Sequence, residues 1–246
     1  MMDSILDGIA FLLSERLPLL SRGKPDARLT LETARLFRQY GCGLLLSGLD
    51  EDGFRDSLRQ AATTYSELLK RKQECSEYDQ YYLARSKGEP LFDAIAAGES
   101  ELARNIASRM STHWMERMEP EEDFHYIGAL IGLLQERGTE GELAAFERCL
   151  QGGESYRLEA ARALATRDAE RFEQGLSGMI EEQINWRERQ RRSGVFDPYL
   201  HKTEAFIFVE GVALIHLARA RGMSTRERYP LIPEAALGSP TSPSAG

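Results

Sequence analysis

The stretch from Lys202 to Arg221, KTEAFIFVEGVALIHLARAR, constrains the fold more than any other. Twelve of its twenty residues are apolar, and no gap between them exceeds two residues. On a helical wheel Phe206, Val209, Ala213, Leu217 and Ala220 cover one side. Phe208, Val212, Leu214 and Ile215 cover most of the rest, which leaves no broad polar stripe. A helix that is apolar nearly all round belongs inside a bundle, not on its surface. As one continuous helix it spans about 30 Å. Glu210, in its middle, is expected to form a buried ion pair with an arginine of a neighbouring helix, such as Arg162.

The rest of the chain reads as shorter helices that wrap this one. Ile5, Leu6, Ile9, Leu12 and Leu13 recur at helical spacing until Pro18, which ends or kinks that helix. A second helix runs from Leu29 to Leu46, and its Gly41 and Gly43 allow a close neighbour. Asp50 or Asp52 can cap a third, whose stripe includes Phe54, Leu58, Ala62, Tyr65 and Leu69. Tyr78, Tyr81 and Tyr82 belong to a short helix, and Leu91 to Ala97 to another. Pro120 opens a helix with three acids in its first turn, where the helix dipole favours them. TEGELAAFERC is a further helix closed by two glycines, and two more meet near Thr166 to Asp168. YPLIPEAAL reads as an extended segment packed on the body, and residues 238–246 as a disordered tail. No convincing strand appears. The expected fold is all-α: a single multi-helix domain over 1–237, built of stacked antiparallel helical hairpins around a buried C-terminal helix.

Charge and cysteine usage narrow the function. The net charge of -8 argues against a general affinity for nucleic acid, which needs clustered bases. The basic run RERQRR, with Arg187, Arg189, Arg191 and Arg192, complements a helix C-terminus. Cys42, Cys75 and Cys149 are scattered and form no CxxC pair, so they read as ordinary thiols in a reducing compartment. The N-terminus carries Asp3 and Asp7 where a signal peptide needs bases, and no apolar run approaches membrane length. A cytoplasmic protein without a membrane partner is the expectation.

Catalytic signatures are absent: there is no HExxH, GxSxG or phosphate-binding loop. Glu122 and His125 make one ExxH step of a di-iron bundle, but the second pair and the extra carboxylates are missing. A capping carboxylate and an incidental histidine explain it better, so no metal, cofactor or catalytic residue is expected. From Glu116 to Arg148 nine acids face three bases, a balance of -6. This is either a solvated helix face or an electrostatic docking surface for a basic partner.

Three stretches stand in order along the chain: LFDAIAAGESELARNIA, EPEEDFHYIGALIGLL, and ALATRDAERFEQGLSGMIEEQ followed by FVEGVALIHLARARGMSTRERYPLIPEAAL. Together they resemble the Immunity protein 49 family of bacterial polymorphic toxin systems. The similarity spans roughly residues 45–237. It implies an all-α protein, not an enzyme, that binds and neutralises a cognate toxin from a neighbouring gene by blocking its active site. A nuclease is the expected target, because its substrate cleft is electropositive. The alternative is a helical-repeat adaptor for another protein partner. The family supplies no catalytic residues. The expected toxin-binding set, chosen for its carboxylates and one aromatic anchor, is Trp114, Glu119, Glu121, Glu122 and Asp123.

Overall fold

A computed structural model of the protein describes residues 2–193 and 197–238. Residues 239–246 of the expected tail, and residues 194–196 of the loop SGVFDPY, lie outside them. The helices are α1 (Met2–Leu20), α2 (Ala27–Gly48), α3 (Glu51–Lys70), α4 (Glu89–Ala96), α5 (Ser100–Arg109), α6 (Glu121–Leu134), α7 (Glu140–Cys149), α8 (Tyr156–Thr166), α9 (Ala169–Ser193), α10 (Pro198–Lys202), α11 (Val209–Ala220) and α12 (Glu234–Leu237). No strand occurs among the described residues; the pairing of Tyr229 with Ile232 is an isolated bridge. No helix among them is long and apolar enough to cross a membrane.

Local chemistry sets most of the boundaries. The Asp26 carboxylate accepts the Leu29 N–H to start α2, and Asp50 does the same for Gly53 to start α3. Asp168 accepts from Arg171 at the start of α9. Leu49 and Arg167 close α2 and α8 in the left-handed conformation. The tyrosine-rich segment forms a 3-10 helix, Glu77–Leu83. Pro18 does not stop α1, which runs two residues further to Leu20, although the proline leaves the Ser14 carbonyl without its helical N–H donor.

The long C-terminal helix is two pieces. Only Val209–Ala220 is α-helical, 12 residues or about 18 Å. Before it, α10 gives way at Thr203 (φ -127, ψ -90) to a 3-10 turn, Glu204–Phe206. The Phe208 N–H then donates to the Leu231 carbonyl at 2.7 Å instead of to its own helix. Ile207 and Val209 are β-branched and give little resistance to the break. Phe206 therefore leaves the core; it is 44% exposed and lies under the Arg187 guanidinium. The segment expected to be extended bends at the Tyr229–Ile232 bridge and finishes as α12.

Within this altered length, α11 is as buried as its composition demands. Val212, Ala213, Leu214, Ile215 and Ala218 are all fully enclosed. It packs against α4, α9 and α12. The hairpins α4–α5, α6–α7 and α8–α9 stack beside it, and α2–α3 forms a further layer. α1 lies outermost, on α2 and α10, with its own small cluster of Ile9, Leu13 and Leu36.

The inner helix of each stacked hairpin runs the same way as α11. Arg157, at the start of α8, bonds Asp123 at the start of α6 and Glu210 at the start of α11, each at 3.1 Å. At the other end Arg221, which closes α11, donates to the Leu164 carbonyl at the end of α8 at 2.9 Å. α4 joins them, since His216 in the second half of α11 meets the Ile95 carbonyl near the end of α4. Thus α4, α6, α8 and α11 are parallel, and α5, α7 and α9 return between them.

Two close approaches explain glycines. A Cβ on Gly41 would stand 2.7 Å from the Ser57 Cβ and 3.1 Å from the Phe54 carbonyl, which lets α2 and α3 pack backbone to backbone. A Cβ on Gly175 would stand 2.8 Å from the Ala160 backbone nitrogen. Gly175→Ala is therefore expected to push α8 off α9 and lower stability by about 1–3 kcal/mol. Denaturant unfolding checks this, and an unchanged midpoint would show that the α8–α9 contact is slack.

A buried ion cluster ties α2 to the bundle. The Arg38 guanidinium donates to Asp93 at 2.7 Å, to the Glu89 carbonyl at 2.7 Å and to Glu204 at 3.1 Å. Asp93 is 1% exposed. Burial, reinforced by Glu204 and Glu89, outweighs Arg38 and raises its pKa from 3.8 to about 7. The unfolded chain thus loses this proton at lower pH than the folded one. The stability that Asp93 confers is complete below pH 3.8 and is lost as pH rises to about 7. Asp93→Asn cannot titrate, so its stability relative to the unaltered protein should improve across that interval. Melting curves at several pH values test the sign.

Candidate functional site

The expected docking residues all lie at the end of the bundle where the inner helices begin. Pro120 caps α6, which places Glu121, Glu122 and Asp123 in its first turn. Glu121 and Glu122 are exposed. Asp123 is not free: it pairs with Arg157, and burial raises its pKa. Glu210 completes this network, accepting from the Tyr126 hydroxyl at 2.8 Å. Its arginine is Arg157, whose own pKa the Glu210 charge raises; the expected partner, Arg162, pairs with Glu147 instead.

Glu119 has a different place from the one expected. It is 6% exposed, and its carboxylate accepts the Ser86 N–H at 2.8 Å and the Met115 N–H at 3.1 Å. Two backbone donors leave it little capacity for a partner. Its carbonyl accepts the Trp114 indole N–H at 3.2 Å. Arg85 donates to the Ser111 carbonyl at 2.9 Å while stacking on the Phe124 ring. The loop between α5 and α6 is thus clamped from inside, firmly enough to hold Arg117 at φ 69. Its outer side presents Trp114, 39% exposed, and Met118, 41% exposed, beside the free carboxylate of Glu116. An aromatic and a methionine among carboxylates, on a loop held rigid, are features of a docking surface.

Across α6, His125 hydrogen-bonds Glu142 of α7 at 2.6 Å, and Glu142 accepts from Arg85 at 3.2 Å. Glu121 lies 3.7 Å from the other ring nitrogen of His125. The Cys149 thiol stands beside them; burial and the Glu121 charge raise its pKa. The ExxH spacing of Glu122 and His125 is not the relevant one: Glu121, at i,i+4, shares the histidine's face.

The opposite end of the bundle carries the reverse charge, which the sequence pattern did not reveal. The C-termini of α4, α6, α8 and α11 open into a groove of about 1880 Å³ lined by nine arginines and four glutamates. These arginines come from five helices and the loops between them, so no basic run marks them. Arg221 answers the Leu164 and Ala165 carbonyls at the end of α8, while Arg55, Arg104, Arg162, Arg171 and Arg226 pair with carboxylates. Arg137 and Arg167 face solvent.

Replacing Glu119 by Ala should leave two part-buried backbone N–H groups without their acceptor and cost about 1–3 kcal/mol. Hydrogen exchange at the Ser86 and Met115 amides should accelerate selectively. Exchange that stays slow at both would show that the loop is held by other contacts.

The profile of one protein family, described as Immunity protein 49, matches residues 53–236. No curated protein matches the chain, and no solved structure does. The match begins in α3 and ends in α12, so it takes in every stacked hairpin and leaves α1 and α2 outside. The chain belongs to the Immunity protein 49 family.

Proposed function

We propose that this protein binds a cognate toxin and neutralises it by covering its active site, and that the toxin is a nuclease with an electropositive cleft. Membership of an immunity-protein family carries the reading. The arrangement of the α5–α6 loop supports where it docks: Trp114 and Met118 supply apolar anchors, and Glu116, Glu121 and Glu122 supply the charge. Asp123 and Glu119 support this surface from behind, the first through Arg157 and the second through Ser86 and Met115. Action by binding needs no catalytic group. The arginine-lined groove favours a second reading, in which the docked toxin surface is acidic.

Association with the catalytically inactive toxin domain encoded beside this protein tests both. Reversal of Glu116 and Glu122 to Lys should slow association at least about tenfold at low salt and flatten its salt dependence. Trp114→Ala should speed dissociation. Arg137→Glu with Arg167→Glu should leave both rates unchanged. If only the arginine pair alters association, the groove is the docking surface. Survival of cells that co-express active toxin reports whether binding neutralises it.

A further inference from the structure

We propose that Glu121, His125 and Cys149 form a binding site for one divalent transition-metal ion of the zinc class. The reading concerns this chain alone and holds whether or not it neutralises a toxin. Glu121 and His125 share one face of α6 at i,i+4. α7 returns antiparallel beside α6, so its last residue, Cys149, arrives next to the first turn of α6. One oxygen, one nitrogen and one sulfur donor then lie within 4.8 Å of one another.

The separations match what a small ion requires. Ligands of a tetrahedral zinc ion stand about 3.3–3.8 Å apart, given metal bonds of about 2.0–2.3 Å. The Glu121 oxygen and His125 Nε2 are already 3.7 Å apart. That is too long for a hydrogen bond and close to the span across one shared ion. The Cys149 sulfur lies within 4.8 Å of both, on the last residue of α7.

The histidine is also oriented for the task. Its Nδ1 lies 2.6 Å from the Glu142 carboxylate, which Arg85 holds in turn. With Nδ1 donating to Glu142, Nε2 is left with a lone pair, 3.7 Å from the Glu121 carboxylate. A carboxylate behind a ligating imidazole is the usual outer support of a metal site. Thiolate and imidazole select zinc, cobalt, nickel or copper over magnesium or calcium. A shallow groove of about 390 Å³, lined by Pro120, Glu122, Ala145 and Arg148 among others, opens beside the three donors. It leaves the fourth position to water. On binding, the sulfur–metal bond replaces the S–H bond and the proton passes to solvent; nothing is oxidised or reduced.

The full chain, stripped with a chelator and without toxin, is titrated with Zn²⁺ by calorimetry and with Co²⁺ by absorption. We expect saturation at one equivalent, a higher melting temperature with Zn²⁺, and a sulfur-to-cobalt charge-transfer band. The band should vanish in Cys149→Ser. Glu142→Gln should weaken Zn²⁺ binding about 10- to 100-fold. Failure to saturate at one equivalent would overturn the proposal, as would a cobalt complex of the unaltered chain lacking the sulfur band. Undiminished affinity in both Cys149→Ser and His125→Asn would assign the ion to some other surface group and overturn it equally.

Discussion

The common direction of α4, α6, α8 and α11 is the constraint on which the rest of this structure depends. Parallel helices place their unsatisfied N–H groups at one end of the bundle and their unsatisfied carbonyls at the other. The side chains answer this arrangement. Glu89, Glu121, Glu122, Asp123 and Glu210 gather in the first turns. Arginines gather where the same helices finish. Arg157 joins three helix starts through two carboxylates, and Arg221 caps a neighbour's carbonyls. An overall charge of -8 therefore conceals a molecule with an acidic end and a basic groove.

In the proposed reading this polarity bears on function through the loop at the acidic end. A loop that recognises a partner gains from being ordered beforehand, since less freedom is lost on binding. Here the ordering comes from buried groups, Glu119 and Arg85, which turn their bonding capacity inward. Trp114 and Met118 remain exposed on the loop's outer side. The carboxylates around them divide into those that hold the fold and those that face solvent.

That division was not legible in the sequence. Glu119, Glu121, Glu122 and Asp123 are neighbours of one chemical type, and nothing in their spacing separates a loop clamp from a surface charge. The difference arises from residues far along the chain: Ser86 for Glu119, Arg157 for Asp123 and Arg85, through Glu142, for His125. The Glu121–His125–Cys149 cluster was hidden for the same reason, because Cys149 reaches it only when α7 folds back. The arginine groove draws on five helices and the loops between them, and no local count of charge could show it.

By itself the sequence determined the all-α class, the family, the apolar run that became α11, and capped helix starts such as Asp50 and Asp168. These rest on period, composition and short-range hydrogen bonds, which act within a few residues. Only the tertiary structure decided where that apolar run breaks. The Phe208 N–H finds its acceptor in Leu231, and a helical wheel cannot anticipate a bond between segments 23 residues apart. The same holds for Asp93. Its charge state follows from being enclosed with Arg38, Glu89 and Glu204, carried on α2, α4 and the 3-10 turn before α11. Burial and distant partners set the energy of a polar group, and both are properties of the packed chain.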